Sequence, residues 1–175
     1  MSFLIYFSTT IRRIHLVDKK TSWLMRATNL GLLITNKLGW TNIPNFLTDW
    51  TTTLRHSIYS SPRWTWDMAP SPILVHELTH VLQWNFLYVL RYLLSPTWRC
   101  RYEAEAIQAE MLCFESCRTP SAVREATLNL VHYGINLDEA TDMLLQRLLN
   151  VRARDRLEPS AQRVWEAFYA WDTQR

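Results

Sequence analysis

Two histidines four residues apart, with a glutamate directly after the first, stand in the stretch ILVHELTHVLQW from Ile73 to Trp84. On a helix, positions i and i+4 share a face. His76 and His80 can therefore aim ring nitrogens at one point, where Zn2+ accepts imidazoles at about 2.0–2.1 Å. Glu77 is rotated by about 100° from His76 around the helix axis. It is poorly placed to ligate the same ion but can reach a water on it, which makes it the expected general base. The neighbours Ile73, Leu74, Val75, Leu78, Val81 and Leu82 are apolar. They imply burial of both imidazoles and the carboxylate, which is costly unless something satisfies them. A divalent cation does so, and two idle histidines do not.

A catalytic zinc site takes a third protein ligand and keeps a fourth position open. The candidates lie in RYEAEAIQAE, Arg101 to Glu110. Glu103 and Glu105 are two apart, so on a helix they point in widely different directions and only one faces the metal. Glu103 leads a face of Ala106, Ile107, Glu110 and Phe114, while Glu105 shares its side with Gln108 and Leu112. The more apolar face should meet the neighbouring helix, which favours Glu103 over Glu105. Chain length adds a constraint. Unbroken helix from His80 to Leu94 would run about 21 Å, and Pro96 to Glu103 would return only about 10 Å. A bend or loop within Val89 to Leu94 is therefore expected, with the first helix ending near Tyr88.

With these residues in hand, the chain resembles the zincin metallopeptidases of the gluzincin type, specifically small zincin-like proteins of bacteria and phages. The similarity is carried by HELTHVLQW and RYEAEAIQAE and covers Pro72 to Glu110. It implies His76, His80 and Glu103 as zinc ligands and Glu77 as the base. It implies a zinc-activated water attacking a peptide bond in a peptide or protein substrate. It also implies that the strand before the metal helix borders the cleft, where an open edge can pair with an extended peptide. There is one departure. Gluzincins often carry an aspartate four residues after the glutamate ligand, to hold a ligand histidine by its other nitrogen, and Ile107 stands there. A backbone carbonyl, Gln83 or Glu110 must then orient the rings, a role worth about 10–100-fold in affinity or activity. For the oxyanion, His132, Tyr133 and Tyr102 are the candidate donors, the first two beside Gly134 at a helix end.

The elements that must position these residues read as mainly α with some β: a zincin-like helical domain with a small sheet or hairpin before the metal helix, as one domain over 1–175. Ser71-Pro72 and Ser95-Pro96 each pair an N-cap with a proline suited to the first helical turn. Helices are expected from Pro72, from Pro96 to about Arg118, and over Ser121–Tyr133, Leu137–Asn150 and Pro159–Trp171, with another over Trp23–Lys37. Phe3 to Phe7 reads as a strand, as does Thr51 to Ser60. Gly39 to Trp50 reads as a turn-rich connection containing Pro44.

Composition narrows the alternatives. In 175 residues there are 3 glycines, 9 tryptophans and 48% apolar residues, which favours a helical core over disorder. A net charge of +3 is no nucleic-acid signature, and Asp155 and Glu158 interrupt the arginines Arg147, Arg152, Arg154, Arg156 and Arg163. Cys100, Cys113 and Cys117 do not form a disulfide framework. The apolar run Val81 to Leu94 is too short and too interrupted to span a bilayer and reads as a buried helix, with membrane-surface attachment as the lesser reading. No signal peptide is recognised, so the expected setting is the cytoplasm or a phage particle. A non-catalytic structural or interaction protein on the same scaffold, with a protein partner in a larger assembly, is the alternative function. Trp40, Trp50, Trp64 and Trp66 would supply its interface.

Overall fold

In the computed structural model, which describes residues 1–37, 47, 51–60 and 65–174, the chain is mainly helical with a small three-stranded sheet. It divides into two units, residues 1–68 and 69–175.

The first unit begins with helix α1, Phe3–Thr10, where the sequence reads as a strand. A five-residue apolar run cannot by itself distinguish the two. Ser2 settles the matter as an N-cap whose Oγ accepts from Ile5 N. Phe3, Leu4 and Phe7 then fall on one buried stripe, with the Phe3 and Phe7 rings edge to face at 6.1 Å. Strand β1 is His15–Asp18, unexpected because four residues with one apolar pair carry almost no periodicity. Helix α2, Trp23–Lys37, follows as expected. The expected strand over Thr51–Ser60 is a hairpin instead, β2 Thr52–Leu54 and β3 Ser57–Ser60. Arg55 turns it in the left-handed region, at φ 59°. The sheet order is β1-β3-β2, with β1 parallel and β2 antiparallel to β3. The turn-rich connection at Gly39–Trp50, apart from residue 47, and Trp40, Trp50 and Trp64 of the aromatic cluster lie outside the described residues.

The second unit is wholly helical among the described residues. Helix α3, Pro72–Gln83, starts where Ser71 Oγ accepts from Leu74 N. The bend expected within Val89–Leu94 comes earlier. Trp84 is extended, and Asn85 caps a new helix α4, Phe86–Leu94, by accepting from Tyr88 N at 2.8 Å. This early break lets α5 return Glu103 to α3, and the capping side chain of Asn85, inside an apolar run, marks its place. Ser95 then caps α5, Pro96–Cys113, whose last turns give way to a short 3-10 segment, Glu115–Arg118. Helices α6, Pro120–Val131, α7, Leu137–Ala153, and α8, Pro159–Asp172, complete the unit. The three cysteines are unpaired.

Helix α5 is the centre. It packs against α3, α4, α7 and α8, and Glu103 through Ala109 are buried without interruption. Ala104, Ala106 and Ala109 let the neighbouring helices approach closely. Three polar side chains, Glu103, Glu105 and Gln108, go inside with them. By contrast, α4 is not the buried helix its apolar run suggested, since Phe86, Leu87, Leu90 and Leu94 are exposed. No helix among the described residues is long and apolar enough to cross a membrane.

Candidate metal centre

The i, i+4 spacing on α3 brings the two ring nitrogens together, with Nε2 of His80 3.1 Å from Nε2 of His76. Glu103, projecting from α5, places Oε2 3.2 Å from His76 Nε2 and 3.5 Å from His80 Nε2. These three side chains form a group able to hold a metal ion. Four ligands around zinc at about 2.0–2.1 Å in a tetrahedron stand about 3.3–3.4 Å from one another. The observed triangle of 3.1, 3.2 and 3.5 Å has that size.

Proton accounting sharpens the fit. His76 Nδ1 lies 2.6 Å from Glu110 Oε1, a carboxylate that can only accept. His80 Nδ1 lies 2.7 Å from Gln83 Oε1. The amide of Gln83 is oriented by its own donor, which gives one bond to the Tyr102 carbonyl at 3.0 Å and one to Glu105 Oε2 at 2.9 Å. Gln83 Oε1 must therefore accept, and both Nδ1 atoms must donate. A neutral imidazole has a single N–H. Both Nε2 atoms thus present lone pairs to each other and to a carboxylate oxygen, three acceptors with no proton among them. A metal cation relieves that arrangement, and so does protonation of an imidazole.

Added protons are the substitute for the ion. Burial pushes His76 down, but its bonds to Glu103 and Glu110 outweigh this and hold it well above the ordinary histidine value. His80 is likewise raised by Glu103 against its burial. Burial would raise Glu103, yet the two imidazoles, His80 foremost, hold it well below the usual carboxylate range. The pocket favours net positive charge at the point where the three ligand atoms meet.

The surrounding groups aim the ligands. Where the resemblance would put an aspartate, Ile107 is buried and apolar. Glu110, one turn further along α5, supplies the carboxylate that holds His76, and Gln83 holds His80. Glu105 faces away from the triangle. It accepts from Gln83 and, through Oε1, from Ser160 N at 2.9 Å in the first turn of α8, where the helix dipole favours an anion. Tyr92 on α4 donates to Glu103 Oε1 at 2.7 Å, which leaves Oε2 for the triangle. Sequence reasoning missed Tyr92. Its signal was the Tyr88–Tyr92 pair four apart, on the one side of α4 that is not leucine. Tyr133 lies near enough to Glu103 for the carboxylate charge to act on its phenol. Burial first, and the Glu103 charge second, hold both phenols well above the ordinary tyrosine value, so both are donors.

Glu77 is buried and lies near enough to His80, Tyr88 and Tyr133 for its charge to act on them. Of the suggested oxyanion donors, Tyr133 is at the site and His132 is exposed at the end of α6. The Tyr102 ring packs on Tyr88, centroids 4.6 Å apart, in an aromatic wall with Trp98. Comparison with protein-family models, with curated proteins and with solved structures finds no match for this chain.

Proposed function

We propose that this protein is a zinc-dependent peptidase in which His76, His80 and Glu103 are the ligands and Glu77 is the general base. One observation carries the reading: Nε2 of His76, Nε2 of His80 and Oε2 of Glu103 converge at 3.1–3.5 Å, with both Nδ1 atoms already held by acceptors. Two imidazoles and one carboxylate suit zinc among the divalent ions. Three ligands, not four, leave a position open for water or substrate, the mark of a catalytic site. Zinc bound there would supply Lewis acidity toward a carbonyl oxygen and a water whose pKa is about 7.

The chain's own residues account for the rest. Glu77, buried beside the ligands and offset around α3 from both histidines, takes the proton of the attacking water and passes it to the leaving amine nitrogen. Glu110 and Gln83 keep the imidazoles in the one tautomer that leaves Nε2 unprotonated. Tyr92 is a positioning residue that fixes the Glu103 carboxylate. Tyr133, whose phenol is held protonated, is the donor assigned to the developing oxyanion.

The test combines elemental analysis with cleavage of an unfolded protein substrate. Wild type should carry one zinc per chain and cleave. Glu103→Ala should lose the metal, and Glu77→Gln should keep the metal and lose cleavage. A fully loaded wild type that cleaves nothing, or undiminished cleavage by Glu77→Gln, would falsify the assignment.

A further inference from the structure

Helix α4 is built inside out. Its polar aromatic side, Tyr88 and Tyr92, packs inward against α5 and the metal centre. Its outward arc carries Phe86, Leu87, Leu90 and Leu94, and the end residues Phe86 and Leu94 are 77% and 79% exposed. At 100° per residue these four side chains cover about 100° of the circumference, a continuous apolar stripe. Isolated exposed leucines are common, but a ridge of four large apolar residues along one helix marks a surface that another phase or molecule covers.

Charge identifies what covers it. From Trp84 to Tyr102 the sequence holds three arginines, Arg91, Arg99 and Arg101, with no lysine, aspartate or glutamate. Arg91 and Arg101 are exposed, and both guanidinium groups lie over the Trp98 ring, at 4.2 and 4.9 Å from its centroid. The apolar ridge is thus bordered by a tryptophan and two cations, the composition of a helix lying in a lipid headgroup layer. A second copy of the chain fits less well. A two-fold contact along this ridge would bring the arginines of one copy toward those of the other. The ridge is also a convex helix face and not a groove that a peptide could fill.

We infer that α4 is a membrane-surface anchor, with Phe86, Leu87, Leu90 and Leu94 entering the interface of an anionic bilayer and Arg91 and Arg101 meeting its headgroups. The inference is independent of the peptidase reading, since it needs neither metal nor catalysis. Its geometric consequence is that the cluster around Glu103, touched by Tyr92 from the inward side of the same helix, sits roughly one helix diameter from the lipid, about 10–12 Å.

The experiment is co-sedimentation of the full chain with vesicles of phosphatidylcholine alone or with about one-third phosphatidylglycerol. Wild type should partition onto the anionic vesicles, and salt should weaken it. Leu90→Glu and Leu94→Glu, both at exposed positions, should keep the native circular dichroism and each bind at least about tenfold more weakly. Arg91→Ala with Arg101→Ala should cost about tenfold on anionic vesicles and little on neutral ones. Absence of partitioning would overturn the inference, as would Leu94→Glu binding like wild type. So would a wild-type dimer that ignores vesicles and that Leu94→Glu dissociates, because the ridge would then belong to a second copy.

Discussion

Glu110 offers the sharpest test of how the proposed metal centre is held. It occupies no ligand position, so substitution there leaves His76, His80 and Glu103 in place. Its Oε1 sits 2.6 Å from His76 Nδ1, in a pocket where both side chains are 20% exposed. A hydrogen bond to a charged partner contributes about 1.5–3 kcal/mol and a neutral one about 0.5–1.5. Glu110→Gln keeps an acceptor but removes the charge, a loss of about 1–1.5 kcal/mol, or roughly tenfold in metal affinity. Glu110→Ala removes the whole interaction and frees the ring to change tautomer, so the loss should approach about a hundredfold. Competition against a chromophoric zinc chelator at constant pH measures both. Glu166→Ala is the control: Glu166 is an exposed acid whose hydrogen-bond partner among the described residues is Gln162 on its own helix, and the affinity of this variant should stay within about twofold of wild type. If Glu110→Ala binds zinc as tightly as that control, the carboxylate does not orient His76 and the reasoning fails.

Tyr92→Phe should weaken zinc binding by about 1 kcal/mol, roughly fivefold, by removing the hydroxyl that fixes Glu103 Oε1, and the same competition assay reads it. Gln83→Leu should cost about 2–4 kcal/mol in urea unfolding, because it strands both the His80 Nδ1–H and one oxygen of buried Glu105; a loss below about 1 kcal/mol would count against the network. For the metal-free protein, the raised values of His76 and His80 contribute stability below their unfolded value of about 6.5, and it is lost as pH rises through the folded values. The lowered Glu103 value contributes above its unfolded value and is lost as pH falls through the folded one. Zinc competes with those histidine protons, so its effect on thermal unfolding should be larger near pH 8 than near pH 5.5, and an equal shift at both would contradict the proton accounting. Asn85→Ala should cost about 1 kcal/mol of unfolding free energy by uncapping α4, with circular dichroism confirming the native fold.

Local chemistry made much of this molecule legible from its residues alone. Ser71-Pro72 and Ser95-Pro96 each carry a capping hydroxyl and a proline that needs no amide donor, and helices α3 and α5 begin at those places. The pairing of His76 with His80 follows from helix geometry and needs no tertiary partner. Where local signals were short or balanced, the reading went astray. Phe3 to Phe7 is apolar at every position, so only the Ser2 cap and the burial of Phe3 and Phe7 make it helix. The break at Trp84 depends on one asparagine inside an apolar run.

Tertiary structure alone decided how the carboxylates are used. From Glu103 to Ala109 helix α5 is buried on every side, so periodicity could favour Glu103 over Glu105 only by the more apolar company on its face. The packed neighbours make the distinction: α3 presents imidazoles to Glu103, while Gln83 and the first turn of α8 present donors to Glu105. The same holds for Glu110, since the bond that orients His76 joins residues 34 apart in sequence. Sequence by itself determined which groups could meet a metal and on which helix they lie, because those relations are set within a turn or two of backbone. Their convergence, their partners and the outward apolar ridge of α4 depend on which helix packs against which, and that is settled by burial across the whole unit.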